Sequence, residues 1–225
     1  MIRLLVLLIG YVFGNFQTAF FYGKLHGIDI REHGSGNSGT TNTLRVLGTK
    51  AGLIVFAGDM LKSVIAITLV RFIFKANYSD ILPLLLIYTG AGCVLGHNFP
   101  FYMKFKGGKG IATTGGIMLS TSFYYVPVGM LLFFGNLVIT HMVSIGSLLL
   151  YIGFFVETVI LGQVGVFNMS QSALIEMYVI VFLLQVLAFW MHRENIKRLI
   201  AGNERKTYLF KKKKMDAETN ASANK

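Results

Sequence analysis

Apolar and polar positions along the chain alternate in long blocks rather than in faces. Apolar runs near the roughly 20 residues needed to cross a bilayer recur: Ile2 to Gly23, about Ala51 to Phe74, about Ile81 to Gly96, Ser144 to Gly162 and Ala173 to Trp190. From Ile111 to His141 the chain is apolar for too long to be one span. Pro127 and the Ser120–Ser122 cluster divide it into a short helix, about Ile111 to Ser122, and another ending near Thr140. The pattern predicts an all-α integral membrane protein, a compact bundle of about seven transmembrane helices; five spans fit if one of the later segments is re-entrant. The first run is too long for a signal-peptide core and has no small-residue cleavage site after it, so it reads as a retained span. Inside it, Asn15, Gln17 and Thr18 would leave polar groups unpaired in lipid, and they are expected to face other helices.

Three polar islands interrupt the apolar blocks: Lys24 to Lys50, His97 to Gly110, and His192 to Tyr208. The third predicts a short amphipathic helix. Ala76 to Asp80 and Gly165 to Ser172 are brief links. After Tyr208 come Lys211 to Lys214 and a Ser/Asn/Ala-rich end without periodicity, expected to be disordered. Those lysines can bind anionic headgroups at roughly 1 kcal/mol each, or they serve only as a topology signal. The expected division is one membrane-embedded domain, residues 1–208, and a basic cytoplasmic tail, 209–225.

Composition agrees with this division. Only 14% of the 225 residues are charged and 54% are hydrophobic, with a mean hydropathy of +0.61; a soluble domain averages about 25% charged residues. The net charge of +11 resides at the ends of apolar runs and in the tail, as positive-inside topology produces, which argues against a nucleic-acid partner. Apart from Arg3, Lys62, Arg71 and Lys75, every Lys and Arg falls in an island or after Trp190. If all three islands share the cytoplasmic side, the span count is odd, the N-terminus is outside and the C-terminus is cytoplasmic. The single cysteine, Cys93, permits no intramolecular disulfide.

The first island contains GSGNSGTTNTLR, Gly34 to Arg45. Its glycines let backbone N–H groups approach an anion, its hydroxyl and amide residues donate hydrogen bonds, and Arg45 can fork onto phosphate. Ser35, Gly36, Asn37, Gly39, Thr40, Thr41, Asn42 and Arg45 are therefore candidate phosphate ligands. A plain capped turn accounts for the same residues. Gly34, Gly36 and Gly39 match the dinucleotide fingerprint, but a membrane span precedes them where a strand is required. Around Gly108 and Lys109, a Walker A loop fails on Met103 and Gly110.

In the second island Lys104, Lys106 and Lys109 surround Gly107 and Gly108; Lys109, flanked by glycines, is the best placed to point at a ligand. Asp59 and Lys62 lie three apart on one helical face inside a span, where an ionisable pair serves either a polar cavity or an internal salt bridge. His97 and His192 both sit where a span meets an island. His192, Asn195 and Arg198 fall at i, i+3 and i+6, so they share a face, and His192 is a candidate to orient or deprotonate a hydroxyl. No His/Cys/carboxylate set has metal-ligand spacing, and no cofactor is implied.

With the islands in view, the chain strongly resembles the bacterial membrane acyl-phosphate:glycerol-3-phosphate acyltransferase family. The resemblance rests on GSGNSGTTNTLRVLG from Gly34, Asp59 and Lys62, GHNFPFYMKFKGGKGIAT from Gly96, and HRENIKRLIAGNE from His192. Family members more often have Ala at position 40 and Val at position 111. The resemblance implies acyl transfer from acyl phosphate to the 1-hydroxyl of glycerol 3-phosphate at the cytoplasmic face of the bacterial cell membrane. This is the first committed acylation of phospholipid synthesis in many bacteria. It further implies that Ser35, Thr41, Asn42 and Arg45 hold phosphate, that Lys109 neutralises developing charge, and that Asn195 and His192 position the glycerol part. Either His192 or a substrate phosphate oxygen would accept the hydroxyl proton. The implied partners are the two substrates and membrane lipids.

Two rival chemistries are weaker. Acyltransferases using acyl-CoA or acyl carrier protein commonly carry His-x-x-x-x-Asp, and no His here has Asp five residues later. A transporter for an organic phosphate predicts paired inverted repeats, yet GSGNSGTTN does not recur.

Overall fold

The computed structural model describes residues 1–208; the lysine run and the end expected to be disordered lie outside the described residues. The described chain is all-helical: α1 Ile2–Gly14, α2 Thr18–Leu25, α3 Thr40–Phe74, α4 Leu82–Asn98, α5 Ile111–Thr121, α6 Tyr125–Met130, α7 Asn136–Thr140, α8 Val143–Gln163, α9 Gln171–Met191 and α10 Arg193–Ile200. Short 3-10 turns occupy Ile30–Glu32 and Phe101–Met103, and a wide π turn over Leu131–Gly135 joins α6 to α7. Five segments are long and apolar enough to cross a membrane: Ile2–Leu25, Thr40–Phe74, Leu82–Met103, Val143–Gln163 and Gln171–Met191. The protein is thus an all-α, multi-pass integral membrane protein.

The remaining apolar stretch is two helices, as Pro127 suggests. At 1.5 Å per residue, α5 spans about 16 Å and Tyr125–Thr140 about 24 Å, both short of a roughly 30 Å hydrocarbon core. Together they form a hairpin that leaves one cleft at Gly110 and returns to it at Leu137 and Val143.

The first segment is not one continuous helix. It breaks between Gly14 and Thr18 because its polar residues bond elsewhere. Asn15 Oδ1 accepts from the Phe101 amide at 3.1 Å, Gln17 Nε2 donates to the His97 carbonyl at 2.9 Å, and Thr18 Oγ1 donates to Asp59 at 3.0 Å. These side chains face other helices as expected, at the expense of the helix that carries them. Before the break, α1 lies against α4 with backbone on backbone: a side chain at Gly92 would meet the main chain of Leu7 and Tyr11, and one at Gly96 that of Tyr11 and Gly14. Small residues that admit such approach are the usual basis of helix packing in lipid, where hydrophobicity does not drive association. The α4 helix, buried over most of its length, is the post around which the others stand.

The second span, expected from about Ala51, is preceded by a separate helical piece. Helix α3 starts at Thr40, within the first island, and bends at Gly48, whose φ of 86° no other residue type adopts readily. The piece before the bend folds back so that Leu44 rests on Gly52. That bend sets the arginine-bearing turn beside the mouth of the bundle.

Candidate active site

The three islands meet around one cleft of about 560 Å³. Its first wall is the loop from His33 to Gly39. Gly34 and Gly36 adopt left-handed φ of 63° and 72°, and Asn42, buried in the first turn of α3, clasps the loop. Its Oδ1 accepts from the Ser35 amide at 2.7 Å, while its Nδ2 donates to the carbonyls of Ile30 and His33 at 3.1 and 3.0 Å. Asn42 lines the cleft, but its polar atoms are committed to the loop, so it shapes the wall rather than offering a free donor. Ser35, Gly36, Asn37, Gly39, Thr40 and Thr41 all face the cleft. The Thr40 hydroxyl is buried and has no partner among the described residues. The first-turn amides of α3, which have no intrahelical acceptor, lie at the same place, an arrangement suited to an anion.

Arg45 follows on the same short helical piece. Its Nη2 donates to Thr207 Oγ1 at 2.9 Å, so the last described turn of the chain lies across the arginine. Lys109 faces Arg45 from the second island and donates to Asn195 Oδ1 on α10. Burial, reinforced by Arg198, pulls the Lys109 ammonium down to about 8.

Asn195 and Arg198 are themselves held by a carboxylate. Asn195 Nδ2 donates to Glu204 Oε1 at 2.7 Å and Arg198 Nε to Oε2 at 2.8 Å. Burial alone would raise the Glu204 carboxyl, but these donors hold it below the usual carboxylate value. The sequence carries a usable signal for this residue. Gly202, with φ of 69°, ends α10, the amide of Asn203 bonds back to the Arg198 carbonyl at 2.9 Å, and the reversal returns Glu204 beneath the helix it follows.

His192, buried at the junction of α9 and α10, has its Nδ1 2.8 Å from the Ala188 carbonyl. Burial, and then the neighbouring Lys109 charge, lowers the imidazole to about 4. It is therefore neutral near pH 7, with Nδ1–H donated to the backbone and the Nε2 lone pair free.

The inner end of the cleft is closed by Asp59 and His97. Lys62 does not line this cleft. Its Nζ lies 3.1 Å from Asp59 Oδ1, 2.7 Å from His97 Nδ1 and 2.8 Å from the Phe16 carbonyl, so its donors are spent on the internal salt bridge, the His97 ring and the Phe16 carbonyl. Of the two roles open to the pair, Lys62 serves the structural one. Lys106, Gly107 and Gly108 also stand apart from the cleft. The Gly107 and Gly108 amides donate to Asn98 and His97 carbonyls, each at 3.0 Å, and a side chain at Gly108 would strike the His97 ring. These glycines let the loop fold onto the end of α4; Lys109 and Gly110 alone of GGKG reach the cavity.

Residues 4–202 match the family model described as glycerol-3-phosphate acyltransferase. Relatives of that name include one from Exiguobacterium sibiricum, 39% identical over 95% of this chain and 97% of its own, and one from Bacillus subtilis, 39% identical over 92% and 98%. The fold is similar to the crystal structure of PlsY, an integral membrane glycerol 3-phosphate acyltransferase. In its glycerol 3-phosphate form the TM-score is 0.77 at 32% identity, covering 92% of this chain and 96% of the other; in its lysophosphatidic acid form the TM-score is 0.75 at 31% identity. With its cationic cleft assembled from three islands at one end of a helical membrane bundle, this chain belongs to the glycerol-3-phosphate acyltransferase family.

Proposed function

We propose that the protein transfers an acyl group from acyl phosphate to the 1-hydroxyl of glycerol 3-phosphate, forming 1-acylglycerol 3-phosphate and inorganic phosphate for phospholipid synthesis. The observation that carries this reading is the mixed lining of the cleft. Ser35, Thr41, Arg45, Lys109 and Arg198 line it together with Leu53, Phe56, Phe133, Phe134 and Leu137. The polar and cationic residues suit two phosphate-bearing substrates, and the apolar side chains, contributed by α3, the Leu131–Gly135 turn and α7, suit an acyl chain. Membrane topology in this reading puts the cleft on the cytoplasmic face, with the N-terminus outside and residues 1–208 acting as one domain.

In the reaction the hydroxyl oxygen attacks the acyl carbonyl carbon, the bond from that carbon to the phosphate oxygen breaks, and phosphate leaves with the electron pair. Phosphate is a good leaving group, so strong acid catalysis is not needed. Arg45 holds a substrate phosphate, and Lys109 stabilises the negative charge that grows on the carbonyl and leaving oxygens; loss of one such stabilising donor typically lowers turnover by about 10²–10³-fold. Asn195 and the Nε2 of His192 position the attacking hydroxyl. An imidazole lowered to about 4 is a weak proton acceptor, which favours transfer of the proton to a substrate phosphate oxygen while His192 orients the O–H.

Purified protein in detergent, supplied with acyl phosphate and glycerol 3-phosphate, should release phosphate and form the lysophospholipid. Acyl-CoA in place of acyl phosphate should give no product; equal turnover with acyl-CoA would end the acyl-phosphate assignment. Arg45→Ala should abolish turnover. If His192→Ala left turnover unchanged, His192 would have no part in handling the hydroxyl.

A further inference from the structure

The segment after α10 crosses the mouth of the cleft, and its anchors differ in kind. Glu204 is tied to Asn195 and Arg198. The Thr207 amide donates to the His141 carbonyl at 2.7 Å, in the turn between α7 and α8. The Tyr208 ring lies 4.7 Å from the His141 ring, centroid to centroid. None of these contacts uses the Thr207 side chain. That hydroxyl, on a residue only 5% exposed, instead accepts from Arg45 Nη2. Thr207 also lies beyond residue 202, where the match to the family model ends.

We propose that Thr207 is a positioning residue for Arg45: its hydroxyl holds the guanidinium in the plane from which the remaining N–H donors meet a substrate phosphate. A guanidinium has five donors in a rigid fork. Fixing one terminal nitrogen sets the direction of the others and removes the need to order a long side chain when substrate arrives. Without the hydroxyl, Arg45 keeps its charge but loses its aim. The strap itself stays in place, because its other anchors are backbone, carboxylate and aromatic.

The inference rests on the proposed phosphate-binding role of Arg45, and the test separates the two. Formation of lysophospholipid by the unmodified protein tests the reaction; Thr207 variants, compared with it, test the positioning. KM and kcat are measured for each phosphate substrate in Thr207→Val, Thr207→Ser, Arg45→Lys and the Arg45→Lys/Thr207→Val double variant. Thr207→Val should raise the same KM that Arg45→Lys raises, by roughly three- to tenfold, less than the loss of a direct hydrogen bond to a charged group, with kcat within about twofold. Thr207→Ser should restore both, and Thr207→Val should add little once Arg45 is lysine, since residues acting in one chain of contact are not additive. Unchanged kinetics in Thr207→Val would overturn the proposal, as would a loss confined to kcat, equal failure of Thr207→Ser, or effects that multiply in the double variant. Should Thr207→Val fail to accumulate in the membrane, Thr207→Ala carries the same comparison.

Discussion

His192 Nδ1 lies 2.8 Å from the Ala188 carbonyl, one turn earlier on α9, and this contact selects the ring's free nitrogen. With Nδ1–H donated to the backbone, Nε2 presents a lone pair to the cleft. The lowered pKa, about 4, keeps it so under ordinary conditions. In nitrogen-resolved NMR of the protein in micelles, the His192 ring should stay neutral down to about pH 5; titration near 6.5 would contradict the buried setting. The sign for stability follows. The folded state binds fewer protons than the unfolded one between about pH 4 and 6.5, so this contribution is whole above 6.5 and is lost as pH falls through that window.

Lys109 is the opposite case, a cation whose charge is weakened by burial and by Arg198. Its pKa of about 8 predicts that kcat/KM, which reports the free enzyme, declines as pH rises through about 8 instead of near 10.5. Lys109→Arg, whose guanidinium stays charged, should move that limb upward. A limb that does not move would assign it to another group.

Asn42 and Thr41 are neighbours with different work. Asn42→Ala should lower thermal stability in detergent and activity together, because three loop contacts are lost and each unsatisfied buried partner costs about 1–3 kcal/mol. Thr41→Ala should lower activity with little change in melting temperature. Equal melting temperatures for the two variants would remove the clasp from Asn42.

The Asp59–Lys62 pair is nearly sealed from solvent, with side chains 2% and 4% exposed. Breaking it on one side leaves an uncompensated charge, and such loss costs about 3–5 kcal/mol. Asp59→Asn should therefore reduce the amount of folded protein in membranes sharply. The double change Asp59→Leu with Lys62→Met should recover much of it; recovery no better than the single variant would show that the pair does more than balance its own charge.

What could be read in advance follows from which forces act locally. Apolar block lengths marked the spans, and the composition of Gly34 to Arg45 singled out the loop that lines the cleft, because both depend on residue type alone. The break at Asn15 to Gln17 depends on carbonyls and amides supplied by His97 and Phe101, some 80 residues away, and no local pattern announces it. GGKG has the composition of an anion-binding loop, yet its two leading amides are taken by the end of α4; glycine signals close approach of the backbone without saying to what. Glu204 acts through Asn195 and Arg198, and its one sequence signal is the helix stop at Gly202, which turns the chain back beneath α10.

The strap from Asn203 to Tyr208 also gives the protein a schedule. The walls of the cleft come from positions near 40, near 110 and after 190, so they are made at widely separated times during synthesis. The last of these walls is supplied by the last described residues, where Glu204 holds Asn195 and Arg198 and Thr207 accepts from Arg45. A chain shortened before Asn203 would therefore keep its membrane helices while lacking that wall of the cleft.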